Sequence, residues 1–448
     1  MAERLNLIVM VAHDLGRFIG PYGLKTVATP HLDRLAAEGA RFSRSFCVAP
    51  QCSPSRASIF TGRYPHNNGV LGLCHGLFKW DLHPEEQHFA GLLQQGGYHT
   101  ALVGLQHETT RPDAMGYDEI VAPNAPCDYQ GEQRAERFGA QAAELLARLA
   151  GGEQPFFIQM GFFEPHRLPG SPNLFGPMAP AAERGVTVPP YLVDDDSARA
   201  EVAAFQGAVQ VMDAGVGRVL EALDGLGLAE NTLVLFTTDH GIPFPRAKCS
   251  VYDPGLETCL LLRGPLPGLR GGQVYDPMLP HIDLLPTLLD LLGLPTPAAV
   301  QGRTVAPLLR GDHYQPRAEI FGEMTYHDYY DPVRCIRTET HKLIVAFMFN
   351  RPFMDPSQAW RPGTITVVPD DPMNQRHDLV ELYDLRNDPL EHHNLAHEPA
   401  QAALRDELLA RLYRHMAATE DPLLTGVPPS PMHLDAVRTL KEAAERAE

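Results

Sequence analysis

Two predicted strands lead directly into adjacent acid and imidazole side chains. A strand candidate near the N-terminus is followed by His13 and Asp14, and a second one near the middle of the chain is followed by Asp239 and His240. In open sheets of parallel strands, ligands bind beyond the carboxyl ends of the strands. An acid paired with an imidazole at two such ends is therefore the first indication of a functional site.

A dense run of reactive and charged residue types begins at Cys52, in the string C-S-P-S-R-A-S-I-F-T-G of residues 52–62. Pro54 suits the first turn of a helix, so Cys52 is predicted to lie just before a helix N-terminus. The free amide donors of such a terminus favour an anionic or strongly polar group. A single cysteine near a helix start is more often a small buried apolar residue, so its position alone does not identify its role.

The elements that must position these residues alternate along the first two thirds of the chain. Near-continuous apolar runs predict strands at 5–11, 41–46, 100–103, 155–160, 232–237 and 258–262. The segments between them predict helices at 31–38, 54–61, 87–95, 133–150, 198–223 and 281–292. Strands of this kind separated by helices are typical of a parallel sheet covered on both faces. The sequence therefore predicts an α/β fold with a large, mostly parallel mixed sheet flanked by helices.

The pattern changes in the last third of the chain, where short strands follow one another and a helix comes after them. These segments are 318–321, 333–337 and 342–347 for the strands and 404–418 for the helix. Consecutive strands favour a small antiparallel sheet, and the tail from Asp421 is predicted to be loosely ordered. We expect a catalytic domain at 1–310 and a C-terminal subdomain at 311–448. The subdomain is expected to line the site, with His327 as a candidate substrate contact.

The overall charge restricts the possible partners. The 448 residues carry a formal net charge of −18, which argues against a nucleic acid or an anionic membrane surface as partner. The same charge provides no long-range attraction for a polyanion. Any anion site must therefore be a local pocket of positive charge.

The cysteines and the apolar runs indicate the compartment. Seven cysteines are scattered without a C-x-x-C pair, which indicates a reducing compartment and no disulfide framework. The apolar run at 5–11 is too short for the core of a signal peptide, and no run approaches the roughly 20 apolar residues of a membrane helix. We therefore expect a cytoplasmic protein with no membrane partner; a signal removed before residue 1 is the alternative.

Residues 52–62 resemble the sulfatase signature C-x-P-S-R-A-S-x-x-T-G. Further segments resemble sulfatase landmarks in the family's order and span nearly the whole chain. They are N-L-I-V-M-V-A-H-D (6–14), T-P-H-L-D (29–33), F-E-P-H-R (163–167), T-D-H-G-I-P-F-P (238–245), E-L-Y-D (381–384), D-P (388–389) and N-L (394–395). The strings G-I-P-F-P and P-H-R are similar to the heparan N-sulfatase (sulfamidase) branch. The resemblance implies a hydrolase with an alkaline phosphatase-like fold.

The resemblance also implies roles for individual residues. In sulfatases the signature cysteine is oxidised to formylglycine (3-oxoalanine) by a formylglycine-generating enzyme. Cys52 would therefore be modified and, together with Asp14 and Asp239, would bind one divalent cation. The other implied roles belong to Arg56, which holds the formylglycine and its charged adduct, His107 as the base, His166 as the general acid and Lys248 as the cation that grips the sulfate.

The hydrated aldehyde of formylglycine has two geminal hydroxyls, and the implied reaction uses both. One hydroxyl attacks sulfur while the alcohol or amine leaves with a proton from His166. His107 then takes the proton of the second hydroxyl, and the aldehyde re-forms by expelling sulfate. The cation and the Arg and Lys donors are needed because the anionic substrate repels nucleophiles.

Three positions depart from typical sulfatases. His13 replaces one of two adjacent acids, His240 replaces an amide, and Leu105 replaces a lysine two residues before His107. The resemblance implies calcium, whereas imidazole ligands favour manganese, zinc or iron. His240 is thus a candidate metal ligand, and His13 is either a ligand or the neighbour of one. The missing lysine removes one contact to a charged substrate group.

These observations support three hypotheses on function. The first is hydrolysis of a sulfate ester or sulfamate on a sugar. The second is hydrolysis of a phosphonate monoester or phosphodiester at the same site, because an aspartate–histidine metal pair resembles phosphonate monoester hydrolases. The third is an inactive homologue that binds a sulfated ligand, against which the retained Cys52, Arg56, His107 and His166 argue. The expected partners are a sulfated saccharide or small-molecule substrate and the maturation enzyme.

Overall fold

The computed structural model describes residues 4–121, 135–168, 174–176, 178–348, 354, 365–371, 374 and 378–446. The strands are β1 (Asn6–Ala12), β2 (Ala40–Phe42), β3 (Ser45–Phe46), β4 (His99–Gly104), β5 (Glu119–Ile120), β6 (Phe156–Gly161), β7 (Thr232–Thr238), β8 (Glu257–Thr258), β9 (Leu260–Arg263), β10 (Gln273–Tyr275), β11 (Leu279–Pro280), β12 (Glu319–Tyr326), β13 (Tyr330–Thr338), β14 (His341–Ala346) and β15 (Val380–Asp384). The α-helices are α1 (Pro30–Glu38), α2 (Cys52–Thr61), α3 (Pro65–Asn68), α4 (Phe89–Gln95), α5 (Ala135–Leu149), α6 (Asp196–Gly225), α7 (Asp253–Leu256), α8 (Leu284–Leu291), α9 (Ala306–Arg310), α10 (Ala402–Ala418) and α11 (Pro431–Glu445).

Eight strands form the central sheet in the order β10-β2-β9-β7-β1-β6-β4-β5. β1 is parallel to both of its neighbours, β6 and β7. Only β9 runs antiparallel to the strands beside it, β2 and β7, among the described pairings of this sheet. The predicted large, mostly parallel mixed sheet is therefore confirmed.

Helices cover both faces of this sheet, as the alternation of side chains along β1 requires. Ile8 and Met10 pack in a core cluster with residues of α1, α5 and α6. Leu7 and Val9 point to the other face, into a cluster with residues of α2, α4 and α8. Every residue of β1 is buried. The uninterrupted apolar sequence of the strand thus reflects burial on two sides.

The register between β1 and β7 brings two chain segments together at one edge of the sheet. Ala12, the last residue of β1, is paired with Thr238, the last residue of β7. Because the strands are parallel, the residues that follow them, beginning with His13 and Asp239, leave the sheet side by side. The Asp239 amide still donates to the Ala12 carbonyl at 3.3 Å. The two acid–imidazole pairs are therefore neighbours in space.

A second, four-stranded antiparallel sheet has the order β12-β13-β14-β15. Ile336, Leu343 and Leu382 of this sheet pack against Leu408 and Leu412 of α10. The predicted small sheet with an outer helix is confirmed. The boundary between domains at residue 310 stays a prediction.

Some predicted elements were wrong in detail. The segment 41–46 is two strands, β2 and β3, which lie in different sheets because the chain turns at Ser43 and Arg44. The segment 258–262 likewise divides into β8 and β9, and β15 was not predicted. The tail beyond Asp421 contains α11, whose start is stabilised by a hydrogen bond from the His433 amide to the Ser430 hydroxyl. The first two residues of the predicted helix 133–150 lie outside the described residues.

None of the described helices is long and apolar enough to cross a membrane. The six cysteines of the described residues are buried, and Cys127 lies outside that part of the chain. The cytoplasmic location stays a prediction.

Candidate active site

The turn after β1 has a backbone conformation that few residue types adopt readily. Asp14 has a φ of 54°, in the left-handed region where aspartate is one of the better tolerated residues. Its amide donates to Asp239 Oδ1 at 2.8 Å, and the Gly16 amide donates to the His240 carbonyl at 2.9 Å. These bonds join the turn after β1 to the turn after β7.

Five possible metal-binding side chains meet at this edge of the sheet: His13, Asp14, Cys52, Asp239 and His240 are all buried, and each offers a ligand atom within 4.8 Å of the others. His240 Nε2 lies 3.2 Å from Asp14 Oδ1 and 3.5 Å from Cys52 Sγ. His13 Nδ1 lies 2.7 Å from Asp14 Oδ1 and 3.2 Å from Asp239 Oδ2. The structure thus brings together the five residues to which the sequence analysis gave a metal-binding role.

Burial favours the neutral form of both imidazoles of the cluster. Burial lowers the pKa of His13, and burial lowers the pKa of His240 to about 4. His240 Nδ1 lies 2.9 Å from the Gly241 carbonyl, to which only a protonated Nδ1 can donate. Nε2 of His240 therefore carries the lone pair that faces the cluster.

Two buried cations neutralise the carboxylates of the cluster. Arg56 Nε donates to Asp239 Oδ2 at 3.0 Å, and its Nη2 donates to the Ala12 carbonyl at 3.0 Å. Lys248 Nζ lies 2.8 and 3.0 Å from the two oxygens of Asp14. Carboxylates buried this completely require paired positive charge. Arg56 and Lys248 therefore balance the charges of Asp239 and Asp14, and the local positive pocket stays a prediction.

The Asp14–Lys248 pair is ionised. Burial alone would raise the pKa of the Asp14 carboxyl, but Lys248 and the surrounding imidazoles hold it well below its usual value. Burial would lower the pKa of Lys248, but Asp14 raises it above the usual range.

Cys52 is the first residue of α2, which begins two residues before the predicted helix 54–61, and it is 1% exposed. Burial raises the pKa of its thiol well above the usual value, against the lowering effect of the Lys248 charge. The unmodified side chain is therefore a protonated thiol at neutral pH, which is a poor nucleophile.

His166 lies in the loop that follows β6, with its Nε2 3.7 Å from Asp14 Oδ2 of the cluster. Its Nδ1 is 2.6 Å from the Arg167 carbonyl and its Nε2 is 3.1 Å from Lys248 Nζ. The carbonyl requires a proton on Nδ1, so Nε2 accepts from the ammonium. Burial, and then the Lys248 charge, lower the pKa of His166 well below its usual value. The Arg167 side chain holds the loop in place, since it donates to Glu201 Oε1 at 2.9 Å and to the Pro243 carbonyl at 2.8 Å.

His107 follows β4 in a tight turn and is 1% exposed. Its ring centroid is 5.6 Å from that of His13 and 4.2 Å from that of His75. Burial, and then the nearby His75, hold the pKa of His107 well below its usual value. A neutral imidazole of this kind can accept a proton.

His327 is buried just beyond β12 and pairs with Asp328 at 3.2 Å. Its role as a substrate contact stays a prediction. Burial, and then the charge of His327, lower the pKa of His75 to about 4. The sequence analysis missed His75. It lies in a loop without periodic pattern, and no motif includes it.

A sulfatase family model matches residues 6–294 of the sequence. The chain belongs to the sulfatase family. This sulfatase is a sulfuric ester hydrolase, as the resemblance implied. A second model, which describes the C-terminal region of N-sulphoglucosamine sulphohydrolase, matches residues 244–354.

Three similar proteins indicate the range of relatives of this sulfatase. Human (Homo sapiens) N-sulphoglucosamine sulphohydrolase is 30% identical and aligns with 94% of this chain and 91% of its own length. A solved structure in complex with its substrate D-glucosamine-2-N,6-O-disulfate has a TM-score of 0.71 at 21% identity, covering 96% of this chain and 99% of that chain. Phosphonate monoester hydrolase from Silicibacter pomeroyi has a TM-score of 0.69 at 21% identity, covering 93% and 96%. At such identities the solved structures show the shared fold.

Proposed function

We propose that this sulfatase hydrolyses a sulfate ester or sulfamate on a sugar, through a formylglycine derived from Cys52 and one divalent metal ion. The observation that carries the proposal is the position of Cys52, which begins α2 within the signature string and lies 3.5 Å from His240 in the buried cluster. The human relative named for N-sulphoglucosamine, and the fold shared with a protein bound to a glucosamine disulfate, support a sugar substrate.

The cluster fits a divalent metal ion. It offers two carboxylates and two neutral imidazoles, all buried, and His13 Nε2 is a buried atom with no hydrogen-bond partner among the described residues. Asp14, Asp239 and His240 would hold the ion together with the modified Cys52, and His13 would be a further ligand or its neighbour. The ion would neutralise the sulfate oxygens. Family resemblance points to calcium, but the two imidazoles favour manganese or zinc.

The high pKa of the Cys52 thiol supports modification. A thiolate would be the nucleophile of an unmodified cysteine, and burial opposes its formation here. Oxidation by a formylglycine-generating enzyme would instead supply a hydrated aldehyde, with one hydroxyl to attack sulfur and a second that allows sulfate to be expelled. The modified residue would therefore act as a nucleophile without forming a thiolate.

Two histidines are placed for the proton transfers. His166 Nε2 faces Lys248 Nζ at 3.1 Å, and in its protonated form His166 would pass the Nε2 proton to the departing sugar oxygen or nitrogen. An anionic sulfate beside His166 favours its protonated form. His107, which is neutral, accepts the proton of the remaining hydroxyl. The general acid gives a proton in the first step, and the base takes one in the second.

The charges that face the substrate come from Arg56, Lys248 and the metal. Arg56 is 1% exposed and aligned by Asp239, so it can hold the formylglycine and its sulfated form. Lys248 would bind a sulfate oxygen once the metal ion shares the charge of Asp14. His327 is proposed as a substrate contact on the wall formed by the C-terminal sheet.

The test is a comparison of glucosamine N-sulfate, an aryl sulfate and a phosphonate monoester as substrates, with elemental analysis of the same sample. We expect the highest kcat/KM for a sugar sulfate or sulfamate, and one manganese or zinc ion per active chain. Mass measurement of the Cys52 peptide should show formylglycine when the chain is matured. A thiol at Cys52 in a fully active sample would contradict the proposal.

A second candidate function is hydrolysis of a phosphonate monoester or phosphodiester. The Asp239–His240 pair favours it, because it resembles the metal pair of phosphonate monoester hydrolases. In the same experiment this candidate predicts the highest kcat/KM for the phosphonate. An inactive homologue that binds a sulfated ligand predicts binding without turnover of any of the three substrates.

A further inference from the structure

The backbone of His107 is held on both sides. Its amide donates to Glu108 Oε2 at 2.6 Å, and its carbonyl accepts from Cys74 Sγ at 3.2 Å. The Glu108 carboxylate is held in turn by the Gln159 side-chain amide, which donates to Oε1 at 2.7 Å. These hydrogen bonds fix the backbone of His107, so other contacts must determine its side-chain torsions.

The ring of His107 is not held by hydrogen bonds. Both ring nitrogens are buried and have no hydrogen-bond partner among the described residues. The ring instead stacks on His75, with 4.2 Å between centroids and 15° between planes. His13 is further away and tilted, at 5.6 Å and 57°. The face of the His75 ring is therefore the contact best placed to set the plane of the His107 ring.

We propose that His75 is a positioning residue that orients the His107 ring by stacking, so that a ring nitrogen faces the hydroxyl it must deprotonate. The proposal rests on the role of His107 as base in the proposed function. In that step His107 takes the hydroxyl proton, and the electron pair of that O–H bond forms the C=O bond. The C–O bond to sulfate breaks, and sulfate leaves with the electron pair of the broken C–O bond. A rotated ring no longer points at the proton, so this step slows while the attack on sulfur does not.

The alternative role for His75 is direct contact with the substrate through a ring nitrogen. The two roles require different properties of the side chain. Stacking requires a flat ring, which His75→Phe retains, whereas a substrate contact requires a nitrogen, which His75→Phe removes. His75→Ala removes both.

The experiment measures single-turnover and steady-state kinetics on an aryl sulfate with a coloured phenol, for enzyme whose formylglycine content has been determined by mass. For His75→Ala we expect a burst of one phenol per active chain, a steady rate lowered about 10- to 100-fold, and bound sulfate detectable by mass. His75→Phe should remain within a few-fold of the wild type. His415→Ala is the matched control, because it removes another stacked histidine. The ring of His415 stacks on Phe321, with 3.7 Å between centroids and 3° between planes. It should show neither burst nor slowing.

The outcomes distinguish the base role of His107 from the positioning role of His75. His107→Ala should show the same burst with a larger loss of steady rate, and if it does not, the base role in the proposed function is wrong. If His107→Ala shows the burst and His75→Ala does not, the positioning role alone is overturned. Equal losses for His75→Phe and His75→Ala, with raised KM, would assign His75 to substrate contact instead.

Discussion

The Lys248 ammonium lies 2.8 and 3.0 Å from the two oxygens of Asp14, and both side chains are almost completely buried. The lysine therefore has two contacts: it neutralises a carboxylate of the proposed metal site and also faces His166 at 3.1 Å. A divalent ion beside Asp14 would take over part of the neutralising role and free the ammonium for the substrate.

Lys248→Met should destabilise metal-free protein more than metal-loaded protein. Removing one partner of a buried ion pair costs about 3–5 kcal/mol, because the other charge stays buried without compensation. An ion bound at Asp14 supplies that compensation. Urea unfolding with a chelator measures the free energy of unfolding of the metal-free protein, and unfolding with added manganese measures that of the metal-loaded protein. Adding Asp14→Asn to Lys248→Met should recover much of the loss in the metal-free protein; equal losses with and without metal would contradict the prediction.

Cys52→Ser should react once and then stop. Serine offers one hydroxyl to the sulfate but has no second hydroxyl to drive its release, so a sulfated serine should accumulate. A burst of one leaving group per chain, and a mass increase confined to the Cys52 peptide, are the measurements. Cys52→Ala should show no turnover, and Arg56→Ala should slow the reaction but leave some turnover. Sustained turnover by Cys52→Ser would mean that another group attacks sulfur.

His166→Asn should discriminate between leaving groups. A sugar oxygen or nitrogen needs a proton as it departs, whereas an activated phenolate does not, so the variant should lose about 100- to 10,000-fold in kcat on a sugar substrate. The loss on an activated aryl sulfate should be much smaller. The ratio of kcat/KM for the two substrates, compared with the wild type, is the readout. Losses of the same size on both substrates would argue against the general-acid role.

His240→Asn should shift the metal preference towards calcium. The amide oxygen replaces an imidazole nitrogen, and calcium prefers oxygen ligands. Wild-type and variant protein are dialysed against equal concentrations of calcium and manganese, and the bound metal and the thermal midpoint with each ion are measured. His13→Asp is the companion variant, since it changes the other imidazole of the cluster. An unchanged preference in His240→Asn would mean that His240 is not a ligand.

His88 should make folding stability depend on pH. Its Nδ1 accepts from the Ala90 amide at 3.2 Å at the start of α4, and burial lowers its pKa to about 3. Below about pH 6.5 His88 is protonated in the unfolded chain but stays neutral in the folded protein. The free energy of unfolding that this residue contributes above that pH is therefore lost as the pH falls towards 3. From pH 7 to pH 5 this group costs at most about 2 kcal/mol.

His88→Asn tests that dependence, because asparagine keeps an acceptor at the helix start and does not titrate. Urea unfolding at pH 7 and pH 5 should show a smaller decrease in stability for the variant than for the wild type. Parallel decreases would show that His88 does not contribute to the acid sensitivity.

Much of the catalytic fold could be predicted because its strands are buried on both faces. Such strands are continuous apolar runs, as in β1 and β7. The helices between them have apolar residues at helical spacing. Where burial is one-sided or strands are very short, as in β3 and β8, the local sequence pattern was insufficient to predict the bounds of the strands. α11 was missed although Ser430 and Pro431 mark its start.

The residue types at the candidate site, the order of the sulfatase landmarks, and the imidazoles of His13 and His240 at positions where typical sulfatases have oxygen-bearing side chains can be read from the sequence alone. Which side chains pair with each other became visible in the folded chain. The pairing of Lys248 with Asp14 joins residues 234 positions apart, and the stack of His75 on His107 joins two loops without a motif in common. A local pattern encodes which face of an element is buried, whereas the contact between two such loops depends on the register of the whole sheet and on the packing around it.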